Sequence, residues 1–177
     1  MGQIYFPGQP GKIILPPSGG APIINYIGSN DTPGSQYAAG YSIGLHHSDY
    51  LYTAVSGDTV VEIGIYAKRI SSPDKSVDVG IYTLSGGGLY QRQFYSTITG
   101  IGSTAAWYTA SVSWSLSAGT QYAVAFQNAS SAGIYVYFTN VDAAKRSDWD
   151  SATSLPATWS RALTDRARFE VYAKVQR

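Results

Sequence analysis

The stretch DRARFEVYAKV, residues 165–175, alternates its side chains so regularly that few folds can hold it. Ala167, Phe169, Val171, Ala173 and Val175 fall on one side, and Arg166, Arg168, Glu170, Tyr172 and Lys174 on the other. Successive side chains of an extended chain point to opposite faces, so the pattern describes a β-strand with one dry and one wet face. A helix would scatter the same residues around its circumference. The pattern recurs upstream. In DTVVEIGIYAKR (58–69), Val61, Ile63, Ile65 and Ala67 share the expected inner face, opposite Val60, Glu62, Gly64, Tyr66 and Lys68. In SVDVGIYTL (76–84), Val77, Val79 and Ile81 oppose Asp78, Gly80 and Tyr82.

Further strands are expected at roughly 89–98, 107–114, 120–127 and 133–139. They are punctuated by the turn signals SSPD (71–74), SGGG (85–88), LSAG (116–119) and NASSAG (128–133). Short strands with turns at such intervals, and no segment of helical period, predict an all-β fold: an antiparallel, jelly-roll-like β-sandwich. Residues 141–164 read as a long loop with one helical turn. Its Trp149 and Trp159 mark it as packed over one end of the sandwich or as functional.

The beginning of the chain breaks the pattern. Five prolines (Pro7, Pro10, Pro16, Pro17, Pro22) are interleaved with glycines over the first 22 residues. Proline removes a backbone donor and fixes φ, so this segment cannot supply a central strand. We therefore divide the chain into an extended Pro/Gly-rich N-terminal arm, 1–35, and a sandwich, 36–177. The arm still carries Tyr5, Phe6, Ile13, Ile14 and Leu15, which need shelter from water. Three placements stay open. It drapes over its own sandwich with an edge strand at Lys12–Leu15, it reaches onto a neighbouring subunit or host assembly, or it is disordered, which its apolar content disfavours.

With 177 residues and no cysteine, one core must hold the fold without disulfides or thiolate-bound metal. That fits synthesis in a reducing cytosol. A net charge of +1 with 13% charged residues argues against nucleic acid as a partner. No run of apolar residues is long enough for a membrane helix, and no basic stretch leads into an apolar run, so neither membrane span nor secretory leader is expected.

The unusual content is aromatic: 15 Tyr, 4 Trp and 5 Phe. Alternation places Tyr66, Tyr82, Tyr135, Tyr137 and Tyr172 on faces opposite the core. A phenol ring with a hydroxyl tip suits a protein interface, a sugar platform or cover by the chain's own loops. Metal sites are not expected. His46 and His47 are adjacent and point apart on a strand, with Asp49 nearby, while Asp142, Asp148 and Asp150 lack calcium-loop spacing. No cofactor motif is present, since SGGG (85–88) is followed by neither helix nor lysine. There is no nucleophile elbow and no carboxylate pair to nominate, so an enzyme is not expected; a glycan-active hydrolase is the minor alternative.

Residues 77–82 (VDVGIY), the glycine turn at 85–88, Trp107 and LSAGTQY (116–122) together resemble carbohydrate-binding-module-like jelly-roll modules of phage virion and bacterial surface proteins. The likeness covers about residues 60–140 and transfers no ligand residue. It implies a sandwich that binds or builds rather than catalyses. On that basis the expected function is a structural subunit of a virus particle: a phage capsid decoration, head-fibre or tail-appendage protein, made in the host cytoplasm and resident in the virion. Its expected partners are other capsid or tail proteins and copies of itself, for example in a trimer, docked through the arm. The competing expectation is a lectin-like module that binds cell-surface glycan through exposed tyrosines or tryptophans.

Overall fold

The computed structural model describes residues 21–31, 33–38, 43–46, 50–85, 89–127, 133–140, 147–150, 154–160, 164–165 and 167–177. Among them run fifteen strands and no helix. In chain order they are β1 (Ile24–Gly28), β2 (Ser35–Ala38), β3 (Ile43–His46), β4 (Tyr52–Thr53), β5 (Thr59–Arg69), β6 (Lys75–Ser85), β7 (Leu89–Ile101), β8 (Ala106–Ser115), β9 (Gln121–Gln127), β10 (Ile134–Asn140), β11 (Ser147–Asp150), β12 (Thr158–Ser160), β13 (Thr164–Asp165), β14 (Ala167–Phe169) and β15 (Val171–Gln176).

The strands build two sheets. Sheet I has the order β1–β15–β5–β10–β14, with β8 paired to β5 and β2 to β10; sheet II has the order β12–β7–β6–β9–β3–β11–β13, with β4 paired to β9. The pairings are antiparallel. The protein is an all-β antiparallel sandwich. Its core lies between the sheets, where Ile27, Ile63, Ile65, Val136, Val171 and Ala173 of sheet I meet Val77, Val79, Ile81, Val124 and Phe126 of sheet II with no exposed surface. Each larger side chain so buried contributes roughly 1.5–3 kcal/mol of hydrophobic stabilisation. The turn into β9 runs through Gly119 at φ 77°, a conformation that side chains with a β-carbon disfavour.

Three local features depart from simple alternation. In β5 the register slips between Val60 and Glu62 against both neighbours, β15 and β8. This bulge flips the phase, so Val60 enters the core at 0% exposure while Val61, the expected inner residue, is only half-buried. The stretch 165–175 is not one strand. It bends at Glu170, whose N–H donates to the Tyr137 carbonyl and whose own carbonyl accepts from the Tyr66 N–H. There the chain leaves β10 and continues alongside β5. Finally, Ile24–Gly28, read as part of the arm, joins sheet I as the strand beside β15. The expected edge strand at Lys12–Leu15 lies outside the described residues.

The segment after β10, expected to be a long loop with one helical turn, instead supplies strands β11, β12 and β13 of sheet II among its described residues, and residues 154–159 cover a face rather than an end. Leu155 and Trp159 pack on the outer side of sheet II with Tyr82, Tyr90, Ala123, Ala125 and Leu51, forming a second, smaller core. Backbone bonds hold this cover: Arg92 N–H donates to Ala157 O at 2.9 Å, and β12 pairs with β7.

Candidate functional site

The two outer faces of the sandwich are treated differently. On sheet II the expected outward ring, Tyr82, is 0% exposed. Trp159 meets it edge-on at 6.1 Å between centroids, and its hydroxyl donates 2.8 Å to the Pro156 carbonyl. Burial pushes its phenol well above the usual tyrosine range. Tyr82 is therefore a core residue of the second layer and not part of an open surface. Alternation could assign its side of the strand but not what lies above it.

Sheet I has no such cover of described residues and carries a band of rings. Ile27, Ile65, Ala67, Val136, Val171 and Ala173 point inward, so their strand neighbours Tyr26, Tyr66, Tyr135, Tyr137 and Tyr172 point out. Trp107 of β8 lies opposite Tyr66 in the ladder and shares that side. Centroid distances run 5.4 Å from Tyr26 to Tyr172, 5.1 Å from Tyr172 to Trp107, 5.6 Å from Trp107 to Tyr66 and 5.1 Å from Tyr66 to Tyr137. Five rings from β1, β15, β8, β5 and β10 thus touch in sequence across the sheet. Most contacts are edge-to-face, the arrangement the ring quadrupole prefers.

The band has a fixed floor and an open top. Tyr172 is the floor, at 8% exposure; its hydroxyl donates 2.7 Å to Glu62 Oε1. Burial, and then the Glu62 carboxylate, push its phenol above the usual range. Tyr66, Trp107, Tyr135 and Tyr137 are half-buried, and Tyr26 is 36% exposed. Lys68 sits with Nζ 5.4 Å from the Tyr135 ring centroid, a cation–π distance, and the half-buried Glu62 and Lys174 supply further charge on this side. A surface of this kind offers apolar area, hydroxyls and both charge signs, the make-up of protein interfaces.

A polar cluster closes the fork at Glu170, which alternation assigns to the wet face but which is 0% exposed. Ser29 Oγ donates 2.8 Å to its Oε2, while Arg168 Nη2 at 3.0 Å and Thr139 Oγ1 at 3.3 Å reach Oε1. Arg168 also bridges to Asp31 at 2.8 Å. Burial raises the Glu170 carboxyl above its usual range, and the bonds from Ser29, Arg168 and Thr139 pull the other way. The cluster ties the turn after β1 to β10 and β14; it holds the frame of the band.

Of the sequence-derived candidates, Tyr66, Tyr135, Tyr137 and Tyr172 come together on sheet I. Trp159 is buried cover at 3% exposure. Trp149 lies in β11 opposite Gly44, with its side chain outside the described residues, as are Tyr5, Phe6, Ile13, Ile14 and Leu15. His46 lies in β3 and Asp148 and Asp150 in β11, while His47, Asp49 and Asp142 fall outside the description. Among the described residues no three His, Cys, Asp or Glu side chains converge. Two band members were missed. Trp107 served only as a marker of resemblance, and Tyr26 was hidden in the arm, although the alternation of INYIG (24–28) already sets it opposite Ile27. No protein-family model matches the chain, and no curated protein is found similar to it.

Proposed function

We propose that this protein is a non-enzymatic structural subunit of a virus particle, of the capsid-decoration, head-fibre or tail-appendage kind, and that the outer face of sheet I is one of its assembly surfaces. The observation that carries this reading is the asymmetry of the faces: on sheet II Leu155 and Trp159 cover Tyr82, Tyr90, Ala123 and Ala125 and leave Tyr95 exposed apart from them, whereas on sheet I the contiguous Tyr26–Tyr172–Trp107–Tyr66–Tyr137 band keeps a half-exposed top. A contiguous aromatic patch on a soluble chain marks an interaction site. The likeness of residues 60–140 to phage virion modules supports the particle, and the apolar residues of the first 22 positions support docking through the arm.

Glycan binding is the second reading, favoured by Thr109, Ser111 and Glu62 standing beside Trp107 and Tyr66 on the same side. Sugar stacking needs exposed ring faces, and edge-to-face contacts consume several of them, which favours the protein partner. Light scattering and a glycan array, both run on the full chain and on a Tyr66→Ala/Trp107→Ala variant, separate the two. Loss, in the folded variant, of assemblies larger than a dimer supports the structural subunit. Assembly unchanged by it, with glycan binding that depends on Trp107, replaces that reading by the lectin.

A further inference from the structure

Sheet I ends at β1, and among the described residues nothing covers the free side of that strand. Its bonds to β15 run through Ile23, paired with Arg177 at 3.0 and 3.1 Å, and continue to Ser29, whose N–H reaches the Val171 carbonyl at 2.8 Å. In an antiparallel ladder only every second residue bonds to a given neighbour. Asn25 and Ile27 therefore face β15, and the N–H and C=O groups of Ile24 and Tyr26 point away from it. Among the described residues nothing pairs with them. Edge strands are normally blunted by charge, proline or bulges. Here Ile23, Ile24 and Tyr26 are 50%, 39% and 36% exposed, and no charged residue occurs from Ala21 to Asn30.

We infer that this edge is a homotypic docking site: β1 of a second copy adds antiparallel to β1, joining two sheets I into one. The free groups require a strand as occupant, and the residues select which strand. A two-fold axis at Asn25 sets Ile24 opposite Tyr26 of the partner copy, and Tyr26 opposite its Ile24. Both pairs exchange two backbone bonds, and both are β-branched–aromatic neighbours, a favourable cross-strand combination. An uncharged strand meets its own copy without like-charge repulsion, so the contact is self-complementary as a two-fold interface requires. The ladder also has natural ends, because the next pair would oppose Pro22, which lacks an N–H, to Gly28 at φ 86°. Since Tyr26 is the first ring of the aromatic band, the two bands would meet at the junction.

The test uses the full chain. Sedimentation velocity over a dilution series gives a monomer–dimer equilibrium for the wild type and a monomer for Ile24→Lys, which puts a charge on the free edge without touching a bond to β15. Register is read with a thiol, since the protein has no cysteine. Asn25→Cys places two sulfurs in a directly opposed, non-hydrogen-bonded pair with Cα atoms about 4.5 Å apart, within disulfide reach. It cross-links on mild oxidation, whereas Ile24→Cys, offset diagonally from its copy, does so far more slowly. A wild type that stays monomeric, or a dimer indifferent to Ile24→Lys with no preferential linking at position 25, overturns the inference. So does a dimer seen only after residues 1–20 are deleted, which would assign the edge to that segment. Tyr66→Ala/Trp107→Ala leaves the edge dimer intact, so failure of the edge and failure of the aromatic face are told apart.

Discussion

Tyr172 spreads its ring over Gly64: a β-carbon built on Gly64 would come within 2.5 Å of the ring's Cε1 and Cζ atoms. The two residues are direct partners in the β5–β15 ladder. The absence of a side chain at 64 lets the ring lie down and form the floor on which Tyr26 and Trp107 stand. Gly64→Ala should therefore lift the ring, strain its 2.7 Å bond to Glu62 and cost about 1–3 kcal/mol, as overpacking does. Urea denaturation measures the loss. Adding Tyr172→Leu to Gly64→Ala should recover part of it; independent, additive losses would show that the two residues do not meet.

Trp159 and Trp107 are both tryptophans on outer faces, and they should respond in opposite ways. Trp159 is 3% exposed and seals the second core, so Trp159→Ala should cost about 3–5 kcal/mol in urea denaturation. Trp107 is half-buried, and Trp107→Ala should cost about 1–2 kcal/mol while reducing assembly. Equal stability losses would mean that the sheet I band is structural cover like its counterpart.

Glu170 gives the fold a pH dependence of unusual sign. Its carboxyl is raised by burial, so the native state holds that proton more tightly than the unfolded chain does. The stability this supplies is fully present below the ordinary glutamate range and is lost as pH rises through the raised value. Measured by urea denaturation, wild type should lose stability relative to Glu170→Gln as pH rises above the ordinary glutamate range of about 4. A gap moving the other way would show that the Arg168 and Ser29 bonds outweigh desolvation.

Tyr52 donates 2.6 Å to Asp58, and burial together with that carboxylate pushes its phenol up to about 12. The proton is held more tightly in the folded state, so the associated stability is present below the ordinary tyrosine range and lost as pH climbs towards 12. In an ultraviolet alkaline titration, Tyr52→Phe should remove a late-ionising phenol and leave the early ones unchanged. Removal of an early one instead would place Tyr52 in contact with solvent.

Much of this fold is legible in the residues because alternation depends on the strand alone. Val77, Val79 and Ile81, or Val171, Ala173 and Val175, announce the core face without reference to a partner. Val60 does not, because the bulge that turns it inward exists only against β8 and β15. Tyr66 and Tyr82 read alike for the same reason: each follows an inward isoleucine, and only the distant Leu155 and Trp159 separate the open ring from the sealed one. Glu170 reads as a wet-face residue because the fork that buries it needs β10 between the diverging strands. Tyr26 was obscured by the prolines before it, although its own strand starts beyond Pro22.

The most direct test of the assembly face is the exposure of Trp107 itself. With the chain's four tryptophans replaced by 5-fluorotryptophan, the resonance assigned through Trp107→Phe can be followed by fluorine NMR in light and heavy water. At high dilution its shift should depend on the solvent isotope, and that dependence should vanish as further copies of the chain are added and the complex forms. A Trp107 resonance that keeps its full solvent dependence while the complex forms would contradict the claim that the outer face of sheet I is where the protein docks.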